Sequence, residues 1–352
     1  MPQPFAELFA KRFAVNINLK KNNFTNAMIN TTLKKISELL GLSISTISRA
    51  LKNHPDISEK TKQRVTELAD TLDYEPNANA IQLRTSKSNL FGLVVPSISN
   101  FFYDSFISAV EEESRKNGYA LMILQSGDDP DIEILNLKLC RKSRISGLFA
   151  CISNQTGNID AYLKMKDLDI PVIFFDKVPE LYSCNKVCVA DEASATIAAN
   201  TILLKKKKKV LAIFGNMNLS ITKKRLSAFT KTMDGKIDLL VHHACNIAEA
   251  EAITIECLRQ NPDTIFCMSD EILTGAMKAI QRAALKIPDD ISVIAISNGF
   301  IPKLYFPEIT YVETSGDELG RLAFSSMMAC LDGSTFTQEL TTVSVLVEGG
   351  SI

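Results

Sequence analysis

The chain has 352 residues, 46% of them hydrophobic, and its 39 Lys and Arg nearly balance 40 Asp and Glu for a formal net charge of −1. That is too long for a small binding headpiece alone and apolar enough for a sizeable core, while the balanced charge excludes a globally basic nucleic-acid binder. Eight cysteines without a CxxC pair or a secretory context exclude a disulfide framework and read as reduced, buried thiols; Cys184 and Cys188 have no second ligand pair, so no metal is expected.

Met1–Asn30 has four basic residues (Lys11, Arg12, Lys20, Lys21) against Glu7, about +3, and no apolar run of signal-peptide length. Three readings stand open: a disordered basic arm touching phosphates, an amphipathic helix around Phe5–Val15, or untranslated sequence ahead of a start at Met28. We take the last as the expectation.

Thr31–Arg84 organises the chain. Leu33, Ile36, Leu39 and Leu40 repeat at helical spacing, with Thr31 or Thr32 placed as N-cap, and Gly41 breaks the pattern where two helices need a tight turn. Ser43 can cap a second helix, Ile44–Leu51, with Ile47, Ala50 and Leu51 inward. Its other face carries Ser45, Thr46, Ser48 and Arg49, short hydroxyls beside one guanidinium, a surface able to enter a major groove. A third helix, about Ser58–Asp73, closes the small core with Val65, Leu68, Ala69 and Leu72. Pro76 ends it, and Asn77 can cap a short hinge helix, Ala78–Leu83. Residues 31–89 hold nine Lys/Arg against seven Asp/Glu, about +2, so affinity for DNA would have to come from placement and from two headpieces acting together.

From Leu90 onward, short apolar runs alternate with amphipathic stretches. Leu90–Val95, Ala120–Leu124, Ile145–Cys151 and Pro171–Phe175 read as buried parallel strands, with helices near Tyr103–Asn117, Asp131–Lys142 and Asn158–Leu168. The alternation repeats with strands Val210–Phe214, Leu239–His243, Thr264–Cys267 and Ile291–Ile296, and helices near Ala193–Leu204, Lys223–Met233, Ile247–Arg259 and Glu271–Ala284. Two such series imply two doubly wound α/β lobes. Ligands bind at strand carboxyl ends in such sheets, so the cleft between the lobes is the place to look. Phe101, Phe102 and Tyr103 follow the first strand, Asp176 ends the fourth, and Asp270 follows the strand ending IFCMSD. The aromatics can equally be lobe-interface core, and Asp270 a helix cap. Lys205–Lys209 reads as a solvated helix end. His242 and His243 point to opposite faces of a strand and cannot chelate together. With three histidines and no P-loop, GxGxxG or HExxH, neither an enzyme nor a cofactor is expected.

The string TLKKISELLGLSISTISRALKNHPDISEKTKQRV…YEPNANAIQLRTSKSNLFGLVVP resembles the start of a LacI/GalR-family transcriptional regulator, and the resemblance runs from Thr31 to Ser351. It implies an all-α helix-turn-helix headpiece (31–75), a hinge helix and linker (76–89) and a two-lobed α/β periplasmic-binding-protein-like domain (90–352). Lobe one would comprise about 90–188 and 315–333, lobe two about 189–314 and 334–352, with crossovers near Val187–Ala190, Val312–Ser315 and Gly333–Thr337. It places recognition-helix positions on Ile44, Ser45 and Arg49 and a minor-groove wedge on Leu83, an apolar side chain that kinks a base step. Arg225, in KRLSAF, falls where family members hold a guanidinium against the effector. Ser297 stands where many relatives carry Asp, and Glu313 and Thr314 replace a common Gln-Pro pair, so the effector's identity stays open. The implied protein is a cytoplasmic, nucleoid-associated homodimeric repressor of pseudo-palindromic double-stranded DNA, with no membrane partner, controlled by a sugar or sugar derivative. The alternative is a small-solute binding protein whose headpiece does not read DNA.

Overall fold

Hydroxyl caps define the N-terminal elements. In the computed structural model, which describes residues 32–74, 88–153, 155–181 and 183–352, Thr32, Ser43 and Ser58 each accept a hydrogen bond from the backbone N–H three residues on. They open α1 (Leu33–Leu40), α2 (Ile44–Leu51) and α3 (Glu59–Thr71). Gly41 ends α1 in the left-handed region at φ 65°, a conformation that costs glycine nothing. Ile36, Ile47, Ala50, Val65 and Ala69 are buried together, with Leu33, Leu40, Leu51, Leu68 and Leu72 packed around them. Leu39, expected on the inward stripe, is instead 54% exposed, because Leu40 and Ile36 already fill that face. The hinge positions Asn77 and Leu83 lie outside the described residues.

The chain divides into two compact units at Ser86/Lys87. In the second unit the elements run β1 (Leu90–Val95), α4 (Phe101–Lys116), β2 (Ala120–Gln125), α5 (Pro130–Lys142), β3 (Gly147–Ala150), α6 (Asp160–Leu163), β4 (Val172–Phe175) and β5 (Asn185–Cys188). They continue with α7 (Asp191–Leu204), β6 (Lys209–Phe214), α8 (Ser220–Met233), β7 (Asp238–His243), α9 (Ile247–Leu258), β8 (Thr264–Cys267), α10 (Asp270–Arg282), β9 (Ser292–Ser297) and β10 (Thr310–Glu313). The last are α11 (Gly316–Leu331), β11 (Glu339–Thr341) and β12 (Val345–Val347). One six-stranded sheet has the order β11-β5-β4-β3-β1-β2 and the other β12-β10-β9-β8-β6-β7. Each is a doubly wound sheet whose strand order reverses beside its first strand, the position where such sheets open a crevice at their carboxyl ends. Among the described residues, only β12 runs antiparallel to its neighbour, β10.

Phe91, Phe106, Phe149 and Phe175 fill one face of the first sheet, with Phe106 stacked on Phe175 at 3.7 Å between ring centroids. Leu148, Met165 and Phe174 fill the other. In the second sheet Phe214, Phe229 and Phe266 form the corresponding aromatic cluster. α11 lies against α4 because Gly320 lets it: a Cβ there would sit 2.8 Å from the Phe106 carbonyl.

Two expectations change. β11 belongs to the first sheet and β12 to the second, so the third crossover lies between 341 and 345 rather than at Gly333–Thr337, and 339–341 move from lobe two to lobe one. The edge position of β5 recruits it: Lys186, Val187 and Cys188 pair with Glu339, Leu340 and Thr341. The helix expected over Asn158–Leu168 is broken into α6 and a 3-10 turn at Lys166–Leu168, ended by Asp169 in the left-handed region.

With five buried side chains at its centre, two of them alanines, the headpiece has little stability to spare. Ile47→Ala should cost about 2–5 kcal/mol. In thermal melts followed by circular dichroism the first unit should unfold early while the transition of 87–352 stays in place. A single unchanged transition would show that Ile47 does not anchor that core.

Candidate functional site

Two surfaces carry the candidate chemistry, each in its own unit. On α2, Ile44 is 47% exposed, Ser45 and Arg49 are exposed, and Thr46 and Ser48 are half-buried, while Ile47 and Ala50 point inward. The Ser43 hydroxyl lies 2.8 Å from both the Ser45 and the Thr46 hydroxyls, which ties the first turn into one polar knot. Arg49 Nη1 stands 4.0 Å from Asp56, which also lies 3.4 Å from His54 Nδ1. Asp56 is thus a loose, solvent-exposed neighbour of the guanidinium, one that no helical spacing announces because it sits in the loop before α3.

The second surface is a cavity of about 380 Å³ between the sheets of the second unit. Its lining follows the carboxyl ends of strands in both: Pro96, Ser97 and Asn100 after β1, Asp176 and Lys177 after β4, Gly215 and Asn216 after β6, Met268 to Glu271 after β8. All six side chains named from the sequence (Phe102, Tyr103, Asp176, Arg225, Asp270 and Ser297) line this one cavity. Tyr103, 5% exposed, donates its hydroxyl to Asp176 Oδ2 at 2.8 Å. Burial, then the Asp176 and Cys151 charges, pushes its phenol well above the ordinary tyrosine range. Burial and the Asp176 charge also lift the Cys151 thiol to about 12, so it stays protonated.

Arg225 is buried in the wall. Its Nε donates to Asp191 Oδ1 at 2.8 Å and its Nη1 to the Met268 carbonyl at 2.9 Å. Asp191, at the first position of α7, is equally buried, and burial outweighs the guanidinium to raise its carboxyl to about 6. Ser297 has its hydroxyl engaged twice, donating to Asp270 Oδ1 and accepting from the Gly299 N–H at 2.9 Å. The acid that Ser297 lacks thus stands beside it, supplied by the neighbouring strand end. Asp270 does not cap α10, since Ser269 does. Burial, only partly offset by Ser297 and the Asn298 N–H, lifts Asp270 to about 6. Across the cleft, Asn100 of the first lobe donates to Glu271 of the second. Asp191, Asn100 and Glu271 were not among the residues named from the sequence.

Geometry of this kind, a three-helix headpiece in one unit and paired doubly wound lobes around a polar cleft in the other, defines a DNA-reading protein with a small-molecule binding domain. Residues 88–345 match the family described as periplasmic binding proteins and sugar binding domain of LacI family, and residues 32–77 the bacterial regulatory proteins, lacI family. The chain belongs to the LacI family of bacterial regulatory proteins. Among its relatives are the HTH-type transcriptional repressor PurR of Vibrio campbellii, 24% identical over 84% of this chain and 91% of that protein, and the HTH-type transcriptional regulator DegA of Bacillus subtilis, 26% identical over 82% and 88%. The fold is also that of the Lac repressor dimer bound to operator and the anti-inducer ONPF, with a TM-score of 0.81 at 19% identity over 91% of this chain and 98% of that one. Among the described residues, no helix is long and apolar enough to cross a membrane.

The raised Asp270 gives a pH test. A folded-state value near 6 against 3.8 unfolded means the native state binds more protons between those values, so stability falls as pH rises through that window and stays lower above it. Asp270→Asn keeps an acceptor for Ser297 and removes the charge. It should lessen the fall in unfolding free energy between pH 4 and 6, the remainder coming from Asp191, which is raised to the same value, and should raise that free energy at pH 7.5 by about 1–2 kcal/mol. Denaturant titration at several pH values checks this, and an unchanged slope would mean Asp270 is well solvated when charged.

Proposed function

We propose that this protein is a sequence-specific transcriptional repressor, working as a homodimer in the cytoplasm on nucleoid DNA and controlled by a small polar effector in the cleft. The observation that carries the reading is the exposed polar face of α2 on a self-contained, capped headpiece in the same chain as the two-lobed cleft. Arg49 suits bidentate contact with guanine, and Ser45, Thr46 and Ser48 suit bases or phosphates. In this reading Asn77 caps the Ala78–Leu83 helix, two of these pair over the central minor groove, and Leu83 enters it. Phe102, Tyr103, Asp176, Arg225, Asp270 and Ser297 form the effector wall, and the family's association with sugars supports a sugar or sugar derivative there.

Exposed apolar side chains support the dimer. Ile132, Leu135 and Leu139 of α5 share one helix face at i, i+3 and i+7, and Ile123 is exposed on the edge strand β2. The second lobe repeats the arrangement with Val241 on its edge strand β7 and Ile255 on α9. A two-fold dimer imposes two-fold symmetry on its site, hence a pseudo-palindrome.

Capture of genomic fragments by the purified protein at low salt, then sequencing, should enrich fragments sharing a pseudo-palindrome. On that site Arg49→Ala should lower affinity by about 1–3 kcal/mol per half-site and blur base preference, as read by fluorescence anisotropy at fixed salt. Leu83→Ala should weaken specific binding and spare nonspecific binding. Specific binding unmoved by both changes would overturn this placement of the reading head.

A further inference from the structure

The cleft carries an imbalance of charge. Among the described residues its lining has four carboxylates, Asp128, Asp176, Asp270 and Glu271, against two cations, Lys177 and Arg225. Both cations are already engaged. Lys177 Nζ lies 3.4 Å from Asp128 and faces Asp176 as well. Arg225 gives Nε to Asp191 and Nη1 to the Met268 carbonyl inside the wall. Asp191 itself is outside the lining, 5% exposed behind Arg225. At 2.8 Å it cancels the one buried guanidinium that would otherwise receive a phosphate or carboxylate.

We propose that Asp191 is a positioning residue that sets the charge class of the ligand: by holding and neutralising Arg225 it leaves the cleft net acidic, fitted to a small polar molecule bearing a protonated amine and no phosphate or carboxylate. The inference rests on the reading of the cleft as the effector site. Carboxylates reach the cavity from both lobes, Asp176 and Asp128 from the first, Asp270 and Glu271 from the second, so an ammonium between them is attracted to both walls. Phe102 lines the same cavity, an aromatic side chain of the kind that attracts a cation. An anion in that space would meet like charge on both sides at short range. Burial lifts the Asp191 and Asp270 carboxyls to about 6.

The test uses the full chain at pH 7.5 and constant ionic strength, with two matched probe sets: glucose, glucosamine and glucose 6-phosphate; adenosine, 5′-amino-5′-deoxyadenosine and adenosine 5′-phosphate. Thermal unfolding and calorimetry should show the amine raising the unfolding midpoint most in at least one set, the neutral member less and the phosphate not at all. Asp191→Asn, which keeps an acceptor for Arg225 Nε, should move the ratio of amine to phosphate affinity by roughly tenfold or more toward the phosphate. A merely structural role would weaken all three probes together and leave the ratio unmoved. Should that variant not fold, Glu271→Gln serves, with an expected loss of the amine's advantage over the neutral member. A phosphate that leads in the unsubstituted protein, an order that ignores charge, no amine raising the midpoint, or an unmoved ratio in the folded variant would each overturn the proposal. Fragment capture with the same preparation keeps the two readings apart. Enrichment with a failed order removes only the charge class, whereas the expected order without enrichment, both in the absence and in the presence of the bound amine, removes the repressor.

Discussion

The buried pair between Arg225 and Asp191 is the contact on which the cleft depends. A guanidinium and a carboxylate, each about 5% exposed, survive in the interior only because they hold one another and because the Met268 carbonyl takes a second donor. The pair joins three pieces of the second lobe: α8, which carries Arg225, the start of α7, which carries Asp191, and the end of β8, which runs into Met268. Removing one partner would leave the other charge buried and unpaired, at a cost of about 3–5 kcal/mol by analogy with other buried pairs. That coupling ties the lobe's stability to the composition of its binding wall. Asp270, two residues beyond Met268, then takes its position from the same strand end.

What could be read without the structure follows from how local each signal is. The helices of the headpiece were legible to within a residue or two because Ser43 and Ser58 act on N–H groups three residues away, and chemistry at that range is written in consecutive letters. Strands such as β1 and β8 were legible as unbroken apolar runs. α11 was not singled out, since Gly316 and Gly320 dilute its pattern, and these are the residues that let it lie against α4. β11 and β12 escaped as well, being three-residue edge strands with exposed or half-buried side chains. In the cleft, residues at strand ends were found by position alone, whereas Asp191 stands 34 residues from Arg225 and Asn100 171 residues from Glu271. Only the tertiary arrangement of the two sheets and their helices makes those pairs. The same limit explains the emphasis on Ser297: a missing acid is visible at one position, but its replacement by Asp270, 27 residues earlier, is a fact of strand adjacency.

Among the described residues, few polar side-chain contacts join the lobes beside the cleft. Asn100 reaches Glu271, Lys223 of α8 meets Glu180 at 2.8 Å, and Lys224 meets Glu339 of β11 at 3.0 Å. The last two involve side chains between 37% and 73% exposed, and such pairs contribute little to holding one arrangement over another. A ligand shifts a two-state protein only by the difference in its affinity for the two states. Asp128 and Asp176 line the cavity from the first lobe and Asp270 and Glu271 from the second, so any arrangement that brought the lobes closer would raise the repulsion between them. A ligand that relieves that repulsion gains more in the closed arrangement than in an open, water-filled one. The charge left over by the Arg225–Asp191 pair would then be both what selects the effector and what lets the effector move the lobes.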